Sequence, residues 1–113
     1  MDKFARFVLL YDFYGPLLTD KQRDCLDLYY EQDLSLGEIA EESLISRQAV
    51  HDLLKRTEHI LLEYETKLNL VERYLQQQEK LTMIDELLNT LKPQESPEVM
   101  EIKQLLAELL AGD

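Results

Sequence analysis

Glycine and proline are scarce in this sequence, three of each among 113 residues, and tryptophan is absent. Scarcity of both chain breakers argues against a sheet protein with many tight turns and leaves room for long helices. There is one cysteine, Cys25, so no internal disulfide can form. Its place inside an apolar helical pattern makes it a small buried thiol rather than a nucleophile. Only two histidines occur, His51 and His59. Two helical turns separate them by roughly 12 Å, too far to share a metal. No apolar run approaches the roughly 20 residues that cross a bilayer. The start, Met1-Asp2-Lys3, has no basic segment leading into an apolar one, so neither a signal peptide nor membrane insertion is expected, and a cytoplasmic location follows.

Positive charge is also short. Twelve Lys and Arg face 23 Asp and Glu, for a net charge of -11. Such a chain is repelled by phosphate backbones and is not a general nucleic-acid binder; any such contact has to come from a local basic patch. No glycine-rich phosphate loop or nucleophile elbow is present. The paired carboxylates Glu41-Glu42 and Asp85-Glu86 have no His, Lys or metal-site spacing beside them and read as solvated faces. The sequence therefore offers no catalytic residue, no metal site and no cofactor site, and an enzyme is not expected.

What is present is helical rhythm. Hydrophobic residues make up 45% and charged residues 31%, the balance of a folded chain. Phe4, Phe7, Val8, Tyr11 and Tyr14 share one face of a helix over residues 3–14, a stripe that reads as core more readily than as a binding surface. Gly15-Pro16 stops it, with Gly15 as C-terminal cap. Thr19 caps a second helix running to about Glu31, and Gln32-Asp33-Leu34 forms a short connection. Ser35 and Glu38 have the spacing of a capping box at the head of a two-turn third helix. Ser46 caps a long fourth helix through Val50, Leu53, Leu54, Thr57, Ile60, Leu61 and Tyr64. Its rhythm can run on to Leu75, with a bend expected near Asn69 or Gln76-Gln77-Gln78. Leu81, Ile84, Leu87, Leu88 and Leu91 form another stripe. A break follows at Lys92-Pro93-Gln94-Glu95-Ser96-Pro97, and a last helix capped by Ser96 carries Val99, Ile102, Leu105, Leu106, Leu109 and Leu110 to Gly112.

The informative stretch lies between Thr19 and Thr57. A short helix bearing Ile39-Ala40, a turn of about three residues and a Ser46-capped helix bearing Val50 and Leu53 make a helix-turn-helix. Steeply crossing helices need a small residue at the contact, which Ala40 supplies. Ile39, Ile45, Val50 and Leu53 are expected to fill the angle. Helix-turn-helix units often place Gly or Asn where Leu44 stands, because that slot takes a left-handed backbone. The slot before it is usually apolar but here holds Ser43. Strain or a rebuilt turn is expected there.

The run from Leu18 to Leu61 resembles region four of bacterial sigma factors. Phe13-Tyr14-Gly15, Leu17-Leu18-Thr19, Gln22-Arg23, Asp33-Leu34-Ser35-Leu36, Glu38-Ile39-Ala40, Ile45-Ser46-Arg47-Gln48-Ala49-Val50-His51-Asp52 and Lys55-Arg56 together resemble the YlxM family of small bacterial proteins over nearly the full length. The resemblance is specific through residue 67 and compositional beyond it. It implies a regulatory DNA-binding protein connected with the signal recognition particle pathway.

The expected architecture is all-α: an N-terminal aromatic helix plus a sigma-region-four-like helix-turn-helix over residues 1–67, and a helical extension over 68–113. The fourth helix presents Arg47, Gln48, His51, Asp52, Lys55 and Arg56 on its outer side, where Arg47 and Gln48 are suited to base edges, Lys55 and Arg56 to phosphates, and His51 to a surface contact. From Ser46 to Thr57 the net charge is +2, yet from Thr19 to Thr57 five basic and nine acidic residues give -4. Twenty of the 44 residues from Leu68 to Ala111 are hydrophobic, so the extension either folds back on the core or forms a homodimer, the second being expected. Three functions stay open: a DNA-binding regulator, an accessory contacting the protein or RNA of the signal recognition particle, and a dimeric protein-interaction module.

Overall fold

A computed structural model describes residues 1–91 and 96–112. The described residues are all-α, with no strand among them. The helices are α1 (Lys3–Tyr14), α2 (Asp20–Leu26, continued as a π-helical turn over Asp27–Glu31), α3 (Leu36–Ser43), α4 (Arg47–Leu68), α5 (Leu70–Asn89) and α6 (Pro97–Leu110). Of the expected break before α6, residues 92–95 lie outside the described residues. By contact density the chain divides into two compact units, Met1–Val71 and Glu72–Asp113.

Side-chain caps start most of the helices, each satisfying amides that the first turn leaves without partners. Asp2 accepts from the Ala5 amide at 2.8 Å at the head of α1, a cap that the sequence reading missed. Thr19 and Gln22 form a reciprocal capping box at α2, and Ser35 and Glu38 form the expected one at α3. Those bonds from Ser35 hold the Glu38 carboxyl below its ordinary value. Ser46 accepts from Ala49 at 3.0 Å, and Ser96, with Pro97 in the first turn, accepts from Val99 at 3.1 Å.

Gly15 caps α1, as the sequence reading had it, with a right-handed backbone at φ -49° that leads into a 3-10 turn, Gly15–Leu17. Its need for glycine is spatial: a Cβ there would lie 2.8 Å from the Tyr11 ring. The long fourth helix also resolves. It ends at Leu68, where Asn69 takes φ 57°, and α5 runs unbroken through Gln76-Gln77-Gln78. Asn is one of the few residues besides Gly that tolerate this conformation cheaply.

The core of the first unit forms where α1 and α2 lie against α4. Phe7, Leu10 and Tyr14 from α1 are buried, as are Cys25 and Leu26 from α2 and Leu54 and Leu61 from α4. Phe4 is half open to solvent, although its ring lies 5.0 Å from that of Tyr30. Two carboxylates share this interior, Glu58 and Glu65, two turns apart on α4. The Tyr30 hydroxyl donates to Glu58, which also receives Lys55 at 3.5 Å. The Tyr14 hydroxyl donates to Glu65 at 2.5 Å and accepts from the Leu70 amide at 3.1 Å, while Glu65 also accepts from Val71 at 3.0 Å. The same cluster thus caps α5.

In the second unit the apolar stripes split. Leu81 and Leu88 of α5 and Val99 and Leu110 of α6 are half-buried, and Leu106 is buried. Ile84, Leu87, Leu91, Ile102, Leu105 and Leu109 stay between 42% and 65% exposed. No helix of the described residues is long and apolar enough to cross a membrane.

Burial, reinforced by the bonded glutamates, raises the Tyr14 and Tyr30 hydroxyls above their ordinary value of 10.0. A group raised in this way keeps its proton in the fold after the unfolded chain would release it. Its contribution is complete below that ordinary value and is lost as pH rises toward the folded one. The urea midpoint is expected to hold between about pH 7 and 9 and to fall above about pH 10. A Tyr14→Phe/Tyr30→Phe variant should start lower and fall less steeply. A wild-type midpoint unchanged to about pH 12 would contradict the pairing.

Candidate nucleic-acid interface

The turn between α3 and α4 follows from its sequence. Leu44 ends α3 at φ 60°, ψ 38°, the left-handed slot that the pattern requires, and its side chain is 91% exposed. The Ile45 amide reaches back to the Ala40 carbonyl at 3.2 Å, closing the turn. Ser46 then starts α4. Ile39 and Val50 are fully buried in the crossing of α3 and α4, whereas Ala40, Ile45 and Leu53 are only half-buried. The angle is therefore filled mainly by Ile39 and Val50, and less by Ala40, Ile45 and Leu53 than the sequence suggested.

Arg47, Gln48, His51, Lys55 and Arg56 are all exposed on α4. At 3.6 residues per turn, Gln48, His51 and Lys55 fall within about 60° of arc; Arg47 and Arg56 bracket them over about half the circumference. Arg47, Gln48 and His51 border one shallow depression together with Leu36 of α3. Lys55 and Arg56 border a second with His59, Ile60 and Glu63. The five side chains therefore border two separate depressions.

Three of the five are already engaged. Gln48 Nε2 donates to Asp52 Oδ1 at 2.9 Å, and His51 Nδ1 lies 3.4 Å from the same oxygen. Lys55 is held toward the buried Glu58. Arg47 and Arg56 make no hydrogen bond or ion pair with another described residue. Asp52 stands among them on the outer side, as the sequence reading placed it, and only Leu36 was missed. Asp52 follows from its position four residues after Gln48, the spacing at which side chains on a helix meet. Leu36 had no sequence signal, because its place beside Arg47 depends on the crossing of α3 and α4.

Comparison with known proteins locates the chain. A family model described as "Putative helix-turn-helix protein, YlxM / p13 like" matches residues 1–104. The chain is 46% identical over 111 residues to a UPF0122 protein of Desulforamulus reducens, covering 97% of this chain and 95% of that one. It is 47% identical over 109 residues to a UPF0122 protein of Halalkalibacterium halodurans, covering 96% and 98%. With a UPF0122 protein of Bacillus mycoides it shares 51% over 89 residues, covering 79% and 81%.

A leucine in the left-handed region carries roughly 1–2 kcal/mol of strain, and glycine's extra freedom in the unfolded chain offsets about 0.5–1 kcal/mol of the relief. Leu44→Gly should therefore raise stability by about 0.5–1 kcal/mol in urea titration. A loss of stability would mean that the exposed leucine is held by contacts absent here.

Proposed function

The chain belongs to the YlxM/p13-like helix-turn-helix family, and on that premise we propose that it is a cytoplasmic, non-catalytic regulatory protein that binds DNA as a homodimer. The observation that carries the reading is the outward display of Arg47, Gln48, His51, Lys55 and Arg56 on the Ser46-capped helix of a helix-turn-helix. Arg47 and Gln48 lie at its N-terminal end, the part of a recognition helix that meets base edges. Arginine forks onto guanine and glutamine onto adenine. Lys55 and Arg56 lie roughly two to three turns further on, placed for phosphates. The acidic surroundings keep affinity low, so a dimer supplying two recognition helices is part of the proposal. The extension over residues 68–113 is its dimerisation element. Two stripes with the same spacing, Ile84/Leu87/Leu91 and Ile102/Leu105/Leu109, stand open on it, and a second hairpin would close them into a four-helix bundle.

The net charge of -11 favours a second reading. In it the chain is an accessory of the signal recognition particle, meeting a basic protein surface of the particle more readily than its RNA.

Binding to a fragment enriched from genomic DNA should weaken linearly with the logarithm of salt concentration, and Lys55→Gln or Arg56→Gln should each reduce that slope by about one. Arg47→Ala with Gln48→Ala should abolish preference for the enriched sequence. Leu87→Asp with Leu105→Asp should yield monomers in sedimentation. If the recognition-helix pair leaves DNA binding unchanged while particle protein is still recovered after nuclease treatment, the second reading replaces the first.

A further inference from the structure

A recess lies beside the helix-turn-helix, between α2 and the crossing of α3 and α4. It is a partly enclosed cavity of about 270 Å³. Its walls are Ile39, Ile45, Val50 and Leu53, with the Cys25 thiol from α2. Its origin can be traced to one position. Ser43 borders the space and occupies the slot where helix-turn-helix units usually carry an apolar side chain; the small polar residue leaves unfilled what a leucine would occupy.

The rim is polar and bears both signs. Lys21 and Asp24, one turn apart on α2, border the cavity and are exposed. Neither is paired with another described residue, whereas their neighbours Asp20 and Arg23 pair with each other. A cation and an anion left unmatched above an apolar floor complement a ligand with opposite charges at one end and a branched aliphatic body at the other. Small-molecule sites usually measure about 300–1,000 Å³, so this one stands at the small end and excludes a nucleotide.

The geometry points to a binding site for a free α-amino acid with a branched aliphatic side chain, its body against the half-buried Ile45 and Leu53, its carboxylate toward Lys21 and its ammonium toward Asp24. This site is independent of whether α4 reads DNA. Because Leu53 forms part of its wall and stands on the same helix as Arg47 and His51, occupancy would also stiffen the base of that surface.

The full-length protein, labelled with nitrogen-15, is titrated with L-leucine and followed by amide chemical shifts. Saturable shifts at Ile39, Ile45 and Val50 are expected in the sub-millimolar to millimolar range. Isocaproate, which lacks the ammonium, and isoamylamine, which lacks the carboxylate, should each bind at least about tenfold more weakly. Ser43→Leu should fill the space and remove binding with the helical circular dichroism unchanged. Lys21→Gln with Asp24→Asn, both at the exposed rim, should weaken L-leucine about tenfold without touching the core. The inference is overturned if L-leucine gives no saturable shift at tens of millimolar, if the folded Ser43→Leu protein still binds it, or if the two single-charge analogues bind as well as L-leucine.

Discussion

A carboxylate cannot be left inside an apolar core without partners, and α4 carries two that are nearly sealed from solvent, Glu58 and Glu65. Each is met by a tyrosine from another element: Tyr30 from the π turn after α2, and Tyr14 from the last residue of α1. This requirement determines how the first unit assembles. Sliding α1 or α2 by one residue along α4 would withdraw a hydroxyl and strand a buried acid. Hydrophobic contact alone tolerates many such slips, because Phe7, Leu10 and Leu26 would find other apolar neighbours. The two polar pairs single out one register, and among the described residues no buried side-chain polar atom lacks a partner.

The helix-turn-helix depends on that register at one remove. Val50 and Leu54 lie on the same face of α4 as Glu58 and Glu65, all buried. Once that face is committed inward, the 3.6-residue repeat turns Gln48, His51 and Lys55 outward. The outward display of these side chains is thus a by-product of how the opposite side of the helix is anchored. Its acidic dressing is local: Asp52 holds Gln48 and lies beside His51, and Glu58 draws Lys55 inward. Arg47 and Arg56 alone of the five are unengaged among the described residues.

Much of this was legible in the sequence because it rests on local chemistry. Ser35 with Glu38, Ser46, Thr19 and Ser96 marked helix starts through bonds spanning three residues, and the left-handed slot at Leu44 was visible from the turn pattern. The exposure of Arg47, Gln48, His51, Lys55 and Arg56 followed from periodicity. What escaped depends on neighbours far along the chain. Glu58 and Glu65 drew no notice in the sequence, since nothing within a turn of either announces a tyrosine 28 or 51 residues away. The π turn at Asp27–Glu31 has no sequence mark. Gly15 was legible as the cap of α1, but the Tyr11 ring that excludes a side chain there was not. Helices in the C-terminal part were legible from their stripes, as α5 and α6 show, but the division of those stripes into half-buried and open leucines could not be seen before the two helices were placed.

The paired tyrosines and glutamates also bear on how this chain can change over generations. Losing one member, Tyr14 or Glu65, orphans the other at about 1–3 kcal/mol, a large share of a small domain's margin, and exchanging both would still strand the Leu70 and Val71 amides they accept, whereas exchanging Tyr30 and Glu58 together for apolar residues of like shape is closer to neutral. Tyr30 and Glu58 are therefore separated from a purely hydrophobic version by a valley that single substitutions must descend. Descendants of a common ancestor should keep both members of that pair or lack both, and should keep Tyr14 with Glu65. The polar lock in the core acts as a ratchet on drift, independent of what the outer face of α4 touches.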